Sequence, residues 1–149
     1  MRQQPQSLNP SPPTKARVTQ NMTYDHFEHR HRFAMWAGAR AAQRSFAPSG
    51  VLFSAIEASS LPKFLRESAS QDIDSGDFKR RHRGWCRSVI RSLESQGVRD
   101  GTFGRAAKLI AVYLKSMVVV GTGSGCSLAN VAHPPIDRIL LQSLATSDA

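Results

Sequence analysis

Asp77 to about Gln96 carries six cations in thirteen positions: Lys79, Arg80, Arg81, Arg83, Arg87 and Arg91. Spacings of 3, 4 and 4 put Arg80, Arg83, Arg87 and Arg91 on one side of a helix. There each guanidinium could fork to phosphate oxygens of a nucleic-acid backbone. Asp77 and Glu94 are the acidic partners within the segment, and Phe78, Trp85, Val89 and Leu93 form much of another stripe, suited to a core. Two readings stand: a ridge that contacts phosphate, or a solvated charged face.

The segment Gly97-Val98-Arg99-Asp100-Gly101-Thr102-Phe103-Gly104-Arg105 joins this helix to the next. Gly104 lies at the start of that second helix, where exposed backbone N–H groups can receive an anion such as a DNA phosphate. Arg105, Lys108 and Lys115 follow at spacings of 3 and 7, so they are expected to project to one side together. A plain corner between helices with solvent-facing lysines is the other reading.

In Ala132-His133-Pro134-Pro135-Ile136-Asp137, two prolines fix the entry into a last helix and Asp137 falls in its first turn. That carboxylate could complement the helix dipole, with a salt bridge to Lys108 or Arg138. It could instead stabilise cationic charge or activate water beside a positive groove. His133 is a candidate for polar contact nearby. Upstream, His26, His29 and His31 cluster with Arg30, Arg32, Arg40 and Arg44. His29 and His31 face different sides of a helix and the His26/His29 pair lacks a third ligand, so no metal site is expected.

The elements that must position these residues read as helices. The apolar residues Phe27, Ala34, Met35 and Ala42, with Phe33, Trp36 and Ala37 beside them, predict a helix from a Thr23 cap to about Phe46. Trp36 reads as core rather than as a base-stacking platform, because AMWAGARAA looks like tight helix packing. Short helices follow at Val51 to Ala58 and Pro62 to Glu67, then a loop at Ser68 to Gly76. Asp77 opens the basic helix, stopped by Gly97, and a fifth runs from Phe103 to Val120 on the stripe Phe103, Ala107, Ile110, Leu114, Met117 and Val118. GTGSGCSLANVAH reads as a flexible loop, not a dinucleotide site. The last helix, Pro134 to about Leu144, buries Ile136, Ile139, Leu140 and Leu144. No strand alternation persists. The fold expected is all-α: a single compact domain of five or six helices with a helix-hairpin-helix-like corner.

The chain has 149 residues, 20 Lys+Arg against 11 Asp+Glu, and a net charge of +9, which favours a polyanionic partner. Residues 1–20 hold four of the eight prolines and read as a flexible, passive tail, leaving 21–149 as the basic all-α domain. Apolar runs are too short for a membrane span, and no secretory signal is evident. Two cysteines cannot build a disulfide framework, so a reducing, cytoplasmic setting is expected.

Gly97-Val98 with Gly104-Arg105-Ala106-Ala107-Lys108, followed by Pro135-Ile136-Asp137, resembles the closing part of the helix-hairpin-helix DNA glycosylase superfamily, which includes the 8-oxoguanine glycosylase fold. The likeness covers 97–141. It implies a hairpin on the DNA backbone, a base flipped into a pocket between helices, and Asp137 as the catalytic carboxylate. The position of the family's nucleophilic lysine is Ala106 here, so the resemblance implies monofunctional N-glycosidic cleavage without lyase activity. HRFAMWAGARAAQR, AAKLIAVYLKS and HPPIDRILL also resemble an uncharacterised bacterial protein family, which brings no activity with it. The function expected is a small protein that binds double-stranded DNA, through Arg80, Arg83, Arg87, Arg91, Gly104, Arg105, Lys108, Lys115 and His133, and that recognises or excises a damaged or modified base with no cofactor. The alternative is a non-enzymatic nucleic-acid-binding or protein-interaction module in which Asp137 is structural.

Overall fold

Side-chain caps set the starts of several helices. A computed structural model describes residues 24–42, 46–68, 72–120, 126–136 and 138–147. The expected tail over 1–20, the Thr23 cap and Asp137 lie outside the described residues. Helix α1 (His26–Ala42) begins at Asp25, whose Oδ1 accepts from the backbone N–H of Phe27 at 2.9 Å and of Glu28 at 3.1 Å. Helices α2 (Ser49–Ala58) and α3 (Leu61–Ser68) are joined through Ser59 and Ser60, the latter at φ 60°. Helix α4 (Ser75–Ser95) starts earlier than expected because Asp74, not Asp77, is its cap: Asp74 Oδ1 accepts from Gly76 N and Asp77 N at 2.6 and 2.9 Å.

Gly97 ends α4 as expected. At φ +82° it lets its own N–H reach the Glu94 carbonyl (3.0 Å) while Val98 N–H reaches that of Leu93 (3.0 Å). This is a Schellman termination, with Val98 packed against the core that includes Leu93. Thr102 then caps α5 (Phe103–Leu114), accepting from Arg105 N at 3.4 Å. The helix continues as a π-helical turn over Lys115–Val119, closed by Val120 N–H on the Lys115 carbonyl at 3.0 Å. A short α6 (Ser127–Val131) lies where the sequence suggested only loop, and α7 (Arg138–Ser147) ends the described chain. The described residues contain seven helices and no strand, so the fold is all-α.

Helices α1, α2, α4 and α5 form a closed ring of contacts: α1 packs on α2 and α5, and α4 on α2 and α5. The buried side chains make one core, with Leu52, Ile56, Phe78, Val89, Leu93, Leu109, Ile110 and Tyr113 at its centre. Ala34, Gly38 and Ala39 form the buried seam of α1 toward α5. A Cβ on Gly38 would lie 3.2 Å from Leu109 Cδ1 and 3.3 Å from the Leu109 carbonyl oxygen, so α1 and α5 pack closely there and a side chain would crowd Leu109.

The phase of that seam corrects the expectation for Trp36. Two residues from both Ala34 and Gly38, it lies about 160° round the helix from each. Trp36 stands on the outer side of α1, 53% exposed beside Phe33 at 55%, with their rings 5.9 Å apart. The last helix also differs. His133 and Pro134 each precede a proline, which biases both toward extended backbone, and the helix begins at Arg138 rather than Pro134. Ile136 and Leu144, expected to be buried, are exposed. No described helix is long and apolar enough to cross a membrane.

Candidate functional site

A concavity beside α5 follows from a stripe of small residues. Gly104, Ala107 and Ala111 fall at i, i+3 and i+7 on α5 and leave a low wall, with Lys108 standing among them. The opposite wall is aromatic. His82 comes from α4, and His133 from the extended segment before α7, with ring centroids 4.9 Å apart. The Phe78 ring meets His133 edge-on at 4.9 Å, and Phe103 lies 6.4 Å from His82. Pro134, Ile136 and Leu141 complete a cavity of about 560 Å³. A smaller groove of about 220 Å³, lined by Lys115, Val119 and Pro135, shares His133 and Pro134 with it.

His82 is the residue the sequence reading missed. It lies four residues after Phe78 and seven before Val89, within the apolar stripe of α4, and is 6% exposed. A histidine amid arginines looks like one more member of a polar surface; its phase with Phe78, Trp85, Val89 and Leu93 was the available signal. Burial, and then the neighbouring His133, push its pKa down to about 4, so the ring is neutral near pH 7. Cys86 Sγ lies 3.8 and 3.9 Å from the two ring nitrogens. Being almost equidistant from both, the sulfur is aligned with neither, and the contact is weak. Burial pushes the Cys86 thiol up to about 11, so it is a thiol rather than a nucleophilic thiolate.

The structure brings Gly104, Lys108 and His133 to the cavity and Lys115 to the adjoining groove, but separates Arg105 from them. Three residues along a helix leave Arg105 some 60° from Lys108. Its guanidinium turns to the Asp100 carbonyl at 3.1 Å and stacks on Phe46 at 4.6 Å. Arg105 is thus fixed by the α4–α5 connection rather than offered beside Lys108. Gly104 lies in the first turn of α5, as expected, and a Cβ there would meet nothing within 4 Å.

Arg80, Arg83, Arg87 and Arg91 are all exposed on the outer side of α4. Arg80 pairs with Asp77, and Arg91 donates to Ser88 Oγ at 3.2 Å. Lys79, Arg83, Arg87 and Arg91 have no carboxylate partner among the described residues. Arg81 leaves the ridge to lie over the Phe64 ring at 4.8 Å. Asp137, assigned the catalytic role by resemblance, lies outside the described residues.

The histidines of α1 diverge. His26 and His29 are exposed and pack around Tyr24, while His31 points inward. There Nε2 lies 2.6 Å from Glu57 Oε1 and Nδ1 lies 2.7 Å from the buried Tyr113 hydroxyl. Burial, reinforced by the Glu57 charge, holds the Tyr113 hydroxyl protonated far above the usual phenol range. The three histidines therefore cannot converge on one ion, and no group of metal-binding side chains occurs among the described residues. No family model matches this chain, and no curated protein or solved structure matches it.

Proposed function

We propose that this protein binds double-stranded DNA, with the outer face of α4 lying along the phosphate backbone. The observation that supports this most is the row Arg80, Arg83, Arg87 and Arg91, exposed and mostly free of carboxylate partners among the described residues. Between Arg80 and Arg91 the row is about 16 Å long at 1.5 Å per residue. One DNA strand presents a phosphate every 3.4 Å or so of axis, so roughly five fall within its length. Base recognition or excision, with Asp137 orienting a water and stabilising an oxocarbenium-like sugar, is the catalytic extension of the same proposal.

Fluorescence anisotropy at two salt concentrations tests it, using a plain duplex and one with an abasic-site analogue. Arg83→Gln with Arg87→Gln should lower the slope of log K against log salt by about 1.8, at about 0.9 for each phosphate that is no longer neutralised. An unchanged slope removes α4 from the interface. Preference for the abasic duplex supports base recognition, and Asp137→Asn should then abolish excision while leaving binding intact. Equal binding to both duplexes leaves a backbone-binding module. The exposed Phe33–Trp36 pair favours a second reading, a protein-interaction module, for which neither duplex binds even at low salt.

A further inference from the structure

We propose that the cavity between α4 and α5 is a small-molecule site for a planar aromatic monocarboxylate, separate from the DNA-binding face. Its volume of about 560 Å³ falls within the usual range for organic ligands. One end carries charge: the Lys108 ammonium has no carboxylate partner among the described residues. Gly104 sits one turn before it on the same side of α5, in the first turn, where backbone N–H groups lack helical acceptors.

The remainder of the cavity is flat or apolar. His133 and His82 present rings, and Ala107, Ala111 and Ile136 present no polar group. A planar ring fits between the histidine wall and the alanine wall, with its carboxylate at the Lys108 end. The Lys108 ammonium supplies the positive charge that a carboxylate needs on leaving water.

His82 is the independent sign of a ligand. Its side chain is more than nine-tenths buried, reaches the cavity, and has only the misaligned Cys86 thiol as polar partner among the described residues. A neutral imidazole offers one N–H and one lone pair, and buried groups of that kind ordinarily find partners. A ring hydroxyl or amide on the bound acid would satisfy it. The favoured ligand is therefore an aromatic acid with a second polar substituent away from its carboxylate.

The test uses the full chain and isothermal titration calorimetry with 6-hydroxy-2-naphthoate, its neutral counterpart 6-hydroxy-2-naphthalenemethanol, and inorganic phosphate. The naphthoate should bind, with the alcohol about ten- to a hundredfold weaker and phosphate weaker still. Lys108→Met keeps the side-chain stem and should bring the acid down to the affinity of the alcohol. Ala111→Phe should abolish binding of both by filling the cavity, and a thermal melt establishes that each variant is folded. Lys108 is half-buried near the surface, so that variant still decides the matter if Ala111→Phe does not fold. The proposal is overturned by no binding at millimolar naphthoate, by equal binding of acid and alcohol, or by an acid preference that survives in Lys108→Met. Tighter binding of phosphate than of naphthoate overturns the ligand class.

Discussion

The clearest acid-sensitive element of the fold is His82. Burial and His133 lower its pKa from 6.5 to about 4 in the folded protein, whereas the unfolded chain returns it to the ordinary value. The depressed value means that the unfolded state binds the proton first. His82 is neutral in both states well above pH 6.5, so no penalty exists there. As pH falls from about 6.5 toward 4, the unfolded state gains protons that the folded state refuses, and stability is lost. With those two pKa values the loss is about 2 kcal/mol at pH 5 and about 3 kcal/mol near pH 4. For a chain of this size about 3 °C in Tm corresponds to 1 kcal/mol, so the His82 contribution at pH 5 is about 6 °C. The assay is thermal unfolding followed by circular dichroism at pH 7 and pH 5, on the native chain and on His82→Phe. Phe keeps a flat apolar ring between Phe78 and the cavity but cannot titrate. His26, His29, His31 and His133 are common to both proteins, so their contributions largely cancel in the difference. Tm should fall by about 6 °C more in the native chain than in the variant. Equal falls in both would refute the assignment of a buried, neutral His82 in the folded state.

Three further substitutions probe the frame around the site. Tyr113→Phe removes the hydroxyl hydrogen-bonded to His31 Nδ1 and leaves that buried nitrogen unpaired, which should cost about 1–3 kcal/mol in urea unfolding. A change within error would mean that water or a relaxed His31 replaces the bond. Gly97→Ala places a Cβ on a residue at φ +82° and should cost about 1 kcal/mol, with the α4 end as the affected region in amide hydrogen exchange. A neutral result would show that the Schellman turn relaxes without penalty. Gly38→Val forces branched methyl groups against Leu109 and its carbonyl, and should destabilise by about 1–3 kcal/mol. A smaller effect would mean that α1 can slide away from α5.

Elements governed by local chemistry were legible in the sequence. The Gly97 stop, the start of α5 at Phe103 and the apolar stripe of α4 all follow from signals within a few residues. Asp74 was missed as the cap of α4 because Asp77 offered the same chemistry three residues later, and only backbone geometry distinguishes the two. Trp36 was misplaced because its apolar neighbours were weighed above its phase: Ala34 and Gly38 mark the close-packed seam, and Trp36 lies about 160° round the helix from both. The cavity was half visible: Gly104, Lys108 and His133 were singled out, while His82 was masked by the arginines around it. Arg105 looked equivalent to Lys108 by spacing, yet Asp100 and Phe46 claim it.

The placement of charge on α4 ties the two proposed surfaces to one helix. Its inward stripe carries His82, neutral near pH 7, and its outward face carries the exposed Arg83 and Arg87. A ligand that engages His82 acts on the same rigid element whose opposite side is proposed to meet phosphate. The distance between the two surfaces is no more than the width of a helix, about 10 Å with side chains and comparable to the screening length at 0.1 M salt. A bound aromatic carboxylate would add one negative charge behind the arginine row, but Lys108 lies against it and neutralises most of that field. Electrostatic competition between the two surfaces is therefore weak. DNA affinity should change less than twofold when the cavity is filled with 6-hydroxy-2-naphthoate, an effect of under about 0.4 kcal/mol. Anisotropy titrations with and without saturating naphthoate measure this directly. A tenfold loss of DNA affinity would show instead that the cavity belongs to the DNA interface, and that the carboxylate occupies the position of a phosphate.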